Sequence, residues 1–206
     1  MLENPEFSGP EKGKILKGCG QSAGNRREVN KMESIRKTKY LRHYLLGFTD
    51  GEGCFSISLK KEDTARFGWV LDPLFQITQH KLNSNVLQLF KEELKCGRII
   101  EKPGQPDLML YLVDNRRQLI EKVIPFFNKY KLLLKNKDFE LFKTIVQGLE
   151  SKMHFQKETF IELVKQCFEM NMEGKQRRYK LQEIIEDIEK RVLRDYTPNT
   201  ENFVKI

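Results

Sequence analysis

Apolar positions along this chain recur in two rhythms, and the changes between them divide it into elements. Residues 1–37 show no apolar period and are broken by five glycines, which predicts a flexible basic arm. From Thr38, a candidate N-cap, Leu41, Tyr44, Leu45 and Phe48 recur at helical spacing. After Gly53 the period becomes two: Phe55, Ile57 and Leu59 alternate with Ser56, Ser58 and Lys60, as in a half-buried strand. Lys61, Glu62, Asp63 and Arg66 mark a loop, and a second strand near Leu74 to Thr78 buries Phe75 and Ile77. Ser84 is placed to cap a helix that turns Val86, Leu87, Phe90 and Leu94 inward and stops at Gly97.

A hairpin follows. Its arms are Arg98 to Lys102 and Asp107 to Val113, joined through Pro103-Gly104-Gln105-Pro106. In the second arm Leu108, Leu110 and Leu112 read as the inward set, with Met109 and Tyr111 outward. Asp114 or Asn115 should cap a helix running to Ile124, which Pro125 helps to end. Further helices are expected over Leu132 to Val146, around Phe160 to Phe168, and from Tyr179 to Arg194. The order is αββαββα with extra C-terminal helices. It predicts an α+β domain with a four-stranded antiparallel sheet covered by helices on one face. The boundaries implied are an arm at 1–37, the domain at 38–172, and a helix with tail at 173–206.

Charge narrows the class of partner. The net charge is +8 with a pI near 9.2. Residues 1–39 hold nine Lys/Arg against five Asp/Glu, and residues 40–148 hold seventeen against thirteen. Residues 149–206 hold eleven of each, so the excess lies in the arm and the central domain. Such a field attracts a polyanion at long range. The four cysteines are scattered without a CxxC pair, and His43, His80 and His154 lack HExxH spacing. Structural zinc and histidine-metal chemistry are therefore not expected. No apolar run spans a membrane, and the N-terminus lacks a secretory h-region; Glu3, Glu6 and Glu11 suit a transit peptide poorly. An intracellular location is expected: chloroplast or mitochondrion if eukaryotic, cytoplasm if bacterial.

The chemistry gathers at Leu45-Leu46-Gly47-Phe48-Thr49-Asp50-Gly51-Glu52-Gly53. Gly47 and Gly51 lie four apart, on one helical face, and leave a strip that another backbone can approach. Glu52 falls at the helix C-terminus, where the macrodipole is already negative. A carboxylate there costs stability unless a cation binds, which points to a metal site.

This nonamer resembles the signature of the LAGLIDADG homing endonucleases, present here in one copy. The resemblance extends to Phe75-Gln76-Ile77-Thr78-Gln79, Cys96-Gly97-Arg98-Ile99, Ile124-Pro125-Phe126 and Leu134-Lys135-Asn136-Lys137. It is closest to the single-motif, rRNA group I intron type. It implies a saddle-shaped sheet and a homodimer whose signature helices pack along Gly47 and Gly51, with Asp50 bonding across the dimer. Leu46 departs from the small residue usual at its position. The activity implied is site-specific double-strand cleavage of a long pseudo-palindromic DNA site by metal-dependent phosphodiester hydrolysis. Glu52 and the Gly51 carbonyl would hold Mg²⁺, with Mn²⁺ as a possible substitute. Gln79 would position water, and Lys135 would support transition-state charge. Asn83 stands where the family often has Arg. DNA readout is expected from the outward sheet face: Ser56, Ser58, Lys60, Glu62, Gln76, Arg98, Lys102, Asp107, Met109 and Tyr111. The alternatives are an RNA maturase assisting intron splicing, with intron RNA as a partner, or a transcriptional regulator on the same scaffold.

Overall fold

The computed structural model describes residues 40–170 and 178–191. Thr38, the arm at 1–37 and the tail beyond Arg191 lie outside the described residues. The first helix, α1 (Leu41–Glu52), runs directly into β1 (Gly53–Lys61). Next come β2 (Trp69–His80), a 3₁₀ turn (Lys81–Asn83), α2 (Asn85–Leu94), β3 (Arg98–Lys102) and β4 (Gln105–Val113). Three segments, Arg116–Gln118, Leu119–Val123 and Ile124–Lys129, form one continuous helix, α3. The chain ends in α4 (Asn136–Glu150), α5 (Lys157–Glu169) and α6 (Leu181–Lys190).

The four strands form an antiparallel sheet in the order β1-β2-β4-β3. β2 is longer than its central alternation suggests, because it stays paired with β1 from Trp69 onward. Residues directly opposite in an antiparallel ladder share a face. Phe55 opposes Phe75, and Ile77 opposes Tyr111, all on the helix side. That side holds an aromatic core. Phe55 stands 4.9 Å from Phe75 and 5.3–5.4 Å from Phe127, Phe139 and Phe142, and Tyr111 stacks on Phe90. Rings at such separations add edge-to-face and offset-stacking attraction to their burial.

α1 is seated on this core by Leu45 and Thr49, both fully buried. Arg42 ties it sideways: its Nε donates to Glu93 of α2 at 2.5 Å, and Nη1 donates to the Tyr130 hydroxyl at 3.1 Å.

Several local expectations need correction. Ser84 precedes α2, but its hydroxyl donates to the Lys81 carbonyl instead of capping the helix; α2 ends at Lys95, in the left-handed region, before Gly97 is reached. Pro125 does not end its helix. Its missing N–H and its ring are absorbed by a π-helical stretch, in which the Ile124 N–H reaches back to the Leu119 carbonyl. The helix therefore continues to Lys129 and buries Phe127. Asn115 does cap α3, accepting from the Gln118 N–H at 3.1 Å. Leu132 to Lys135 are not helical; α4 begins at Asn136. α6 buries Ile184 and Ile188 completely.

Candidate nuclease site

α1 and β1 meet without a loop, and Gly53 makes that possible. Its N–H donates to the Thr49 carbonyl, closing the helix, while its own backbone is already extended. A Cβ on Gly53 would meet the Thr49 carbonyl oxygen at 2.7 Å and its Cγ2 at 2.6 Å, so no larger residue fits this turn. Gly47 and Gly51 differ. Both lie within the helix, both are exposed, and a Cβ at either would meet no atom of the described residues within 4 Å. Tyr40 and Tyr44 extend the same open face, at 62% and 39% exposure.

The last carbonyls of a helix have no partner inside it. Here Lys135 supplies one. Its ammonium donates to the carbonyls of Asp50 at 2.6 Å, Gly51 at 3.1 Å and Thr49 at 3.3 Å. A cation at the negative end of a helix is electrostatically favoured, and bonds from a charged donor are the stronger kind. The contact is reciprocal. Asp50 accepts three consecutive backbone N–H groups, from Leu133 at 2.8 Å and from Leu134 and Lys135 at 3.1 Å each. Asp50, expected to bond across a dimer, instead has both carboxylate oxygens bonded to backbone amides of its own chain. Those bonds explain why residues 132–135 leave the helical path: their amides are turned toward a carboxylate. Leu133 and Leu134 are left 87% and 81% exposed.

Gly53 opposes Ile77, so Gln79 lies two residues beyond that pair, roughly 7 Å further along β2. Its amide oxygen accepts from the His80 N–H at 2.7 Å. His80 Nδ1 in turn accepts from the Leu82 N–H, so its ring caps the 3₁₀ turn. Asn83 ends that turn and is exposed. Glu52 is exposed at the end of α1. Lys135 therefore meets the Gly51 carbonyl, with Glu52 next in the chain, while the Gln79 side chain is bonded to the His80 amide. No His, Cys, Asp or Glu cluster of three exists among the described residues.

The sheet's other face carries Ser56, Ser58 and Lys60 from β1, Gln76 from β2 and Arg98 from β3. The register adds Asp72, Leu74, Thr78, Leu110 and Leu112 to this face. Lys60 pairs with Asp72, and Arg98 holds both oxygens of Asp114 at 2.6 and 2.7 Å. That guanidinium keeps the Asp114 carboxyl below the usual carboxylate range. Glu62 lies in the loop beyond β1. The Thr64 hydroxyl and then the Thr64 amide bond it, lowering its carboxyl likewise. Lys102 and Asp107 flank the β3–β4 turn.

Met109 and Tyr111 do not belong to the outward set. Tyr111 is fully buried, opposes Ile77, and donates to the Cys96 carbonyl at 3.1 Å. Burial pushes its phenol far above the ordinary range, so it stays neutral. Met109 opposes Gln79 and shares that face. The run from Leu108 to Val113 is apolar at every position except the Tyr111 hydroxyl, so alternation carried no direction. Only pairing with β2 orients it.

A family model described as LAGLIDADG endonuclease matches residues 45–146. "Homing endonuclease I-ApeII" of Aeropyrum pernix is 33% identical over 152 residues, 72% of this chain and 90% of that protein. The chain belongs to the LAGLIDADG endonucleases. "DNA endonuclease I-CeuI" of Chlamydomonas moewusii is 40% identical over 104 residues, covering half of this chain and 48% of that one. In structure, the archaeal intron-encoded homing endonuclease I-Vdi141I complexed with DNA superposes with a TM-score of 0.70 at 39% identity, covering 73% of this chain and 96% of that one. The matched segment of the LAGLIDADG model takes in most of α1, the whole sheet, the Asp50–Lys135 latch and most of α4. It stops short of α5 and α6.

Proposed function

We propose that the protein is a site-specific, double-strand DNA endonuclease of the intron-homing type, acting as a homodimer with a divalent metal ion, Mg²⁺ or in its place Mn²⁺. The observation that carries this reading is the helix end where the Gly51 carbonyl, next to exposed Glu52, meets Lys135 at the start of β1.

The donor set fits the metal. A carboxylate and a backbone carbonyl are hard oxygen ligands suited to Mg²⁺, which keeps several waters and completes its shell with phosphate oxygens. The helix end already attracts one cation, the Lys135 ammonium. Bound there, the metal would polarise the scissile phosphate and lower the pKa of an attacking water. The chain's own groups do the rest. Glu52 supplies the anionic ligand. Gln79, with one amide donor pair and one acceptor, orients a water. Lys135 offsets charge developing on the phosphate oxygens.

The dimer rests on the glycines. Within a helix, glycine costs about 1 kcal/mol relative to alanine. Among the described residues nothing crowds position 47 or 51, so neither close packing among them nor an unusual turn asks for glycine there. A second copy of α1 packed along that face does ask for it. Two copies would place two Glu52 carboxylates together, one per DNA strand, and two sheets astride the major groove, where strand ribbons fit. An RNA-binding maturase would leave Glu52 without a task.

The decisive experiment selects cleaved duplexes from a randomised DNA library with Mg²⁺ present, then compares Glu52→Gln on the selected site. Binding should persist while cleavage falls at least about a thousandfold. Undiminished cleavage refutes the assignment. Gly47→Leu should sediment as monomer; an intact dimer refutes the glycine argument.

A further inference from the structure

The loop joining β1 to β2, residues 62–68, is the far end of the DNA-facing ribbon. From Gly53 to Lys61, the last residue of β1 before the loop, the strand rises roughly 26 Å at about 3.3 Å per step, or roughly eight base pairs along a duplex. β1 is an edge strand, so one side of this ribbon lacks a neighbour. The loop is closed internally by three backbone bonds: Glu62 to Gly68, Ala65 to Glu62, and Gly68 to Ala65. Those bonds shape the turn but do not fix where it points.

The last helix does. Arg191, just past α6, donates from Nη1 to the Ala65 carbonyl at 3.0 Å and from Nη2 to the Asp63 carbonyl at 2.9 Å. A planar guanidinium spanning two carbonyls constrains orientation as well as distance. Gly68 makes room for it: φ is +76°, and a Cβ there would fall on the guanidinium. Lys61 reaches the same helix, pairing with Asp187 at 3.0 Å and lying over Trp69, whose ring meets Tyr179 edge-on at 4.9 Å. α6 is itself held, through buried Ile184 and Ile188 and by Lys157 of α5, which donates to the Glu189 carbonyl.

Alternation turns this anchorage into readout. Successive side chains of a strand point to opposite faces. With Lys61 bound to α6 on the helix side, Lys60 is committed to the polar face.

We propose that α6 and Arg191 act as a strap that sets the ribbon tip, and so determines base discrimination at the outer ends of the DNA site. Arg191 is a positioning residue, touching no DNA. The inference rests on the endonuclease reading for its effect on DNA, but the tethering of the tip can be measured without DNA.

The test uses the full chain with Arg191→Ala, Arg191→Lys and Asp187→Asn. Each is run through the same randomised duplex selection as the wild type, and amide hydrogen exchange is followed over 62–68. In Arg191→Ala the preference at outer positions should fall about tenfold, the scale of one lost base contact, while central preferences and the turnover number stay unchanged. Exchange over 62–68 should rise about tenfold, Arg191→Lys should recover part of both effects, and Asp187→Asn should shift them in the same direction by less. Equal loss at outer and central positions would reveal general destabilisation and overturn the proposal. Unchanged exchange over 62–68 would overturn it whatever the DNA result. A wild type that selects no duplex would instead sink the endonuclease reading, and the exchange result would then decide the tether alone.

Discussion

The two ends of the β1–β2 ribbon face the same physical problem and solve it differently. At the signature end, orphan helix carbonyls and a run of loop amides are both satisfied by one reciprocal pair, Asp50 and the 133–135 segment with its Lys135. At the tip, two loop carbonyls are satisfied by a single arginine from after the last helix. Both partners come from far along the sequence, about 85 residues in one case and 126 or more in the other. The difference lies in coupling. The latch at the signature end is made of the same residues that carry the proposed chemistry, so its stability and activity cannot be separated. The tip is held by residues outside the matched family segment, so its position should be tunable without touching the proposed catalytic residues.

The sharpest way to break that contrast is Lys135→Met. Cleavage should fall about 10²- to 10³-fold, as when a preorganised donor is removed from a transition state, and single-turnover assays on the selected duplex would measure it. If Lys135 only caps the helix, melting will shift while cleavage does not, and the two ends become alike.

Asp50→Asn comes next. The amide keeps one acceptor oxygen but loses the charge that three N–H groups share. Stability should drop by about 1–3 kcal/mol in urea unfolding, the usual cost of leaving buried or charged hydrogen bonds unmade. A smaller loss than from Arg191→Ala would reverse the ranking of the two ends.

The smallest effect is expected between the ends, at the exposed Arg98–Asp114 pair. If Arg98 reads a base as proposed, it must first release Asp114, so Asp114→Asn should raise DNA affinity about threefold. The pH dependence has a definite sign. Because Arg98 lowers the Asp114 carboxyl in the folded state, the pair's contribution is full above the ordinary carboxylate range. It is lost as pH falls through the lowered value. Acid unfolding of Asp114→Asn should therefore lack that part of the slope, and an identical slope would show the pair to be inert.

Much of the framework could be read locally. The alternation of Phe55, Ile57, Phe75 and Ile77 identified two strands and their buried face, because a half-buried strand must alternate. The αββαββα order followed from caps, turns and periods. Reading failed where local pattern was uninformative. In Leu108–Val113 every position is apolar except for one hydroxyl, so the face was assigned backwards until the register with β2 turned Tyr111 inward. Pro125 looked like a helix end because proline usually is one, and a π-helical stretch absorbed it. Leu132 to Lys135 had helical spacing, yet three of their amides are drawn to Asp50.

What the sequence determined by itself is the signature helix: an apolar stripe of Leu41, Tyr44, Leu45 and Phe48, of which Leu45 is buried and Tyr44 exposed, two glycines four apart on another face, and an acid at the negative end. These depend on residues within a few turns of each other, where spacing alone dictates direction. What only the tertiary structure decided is which groups answer that helix end and the ribbon tip. Lys135 and Arg191 look like any other surface cations in the sequence. They differ because folding brings each, from far along the chain, to a group of backbone carbonyls gathered at a helix end or a turn.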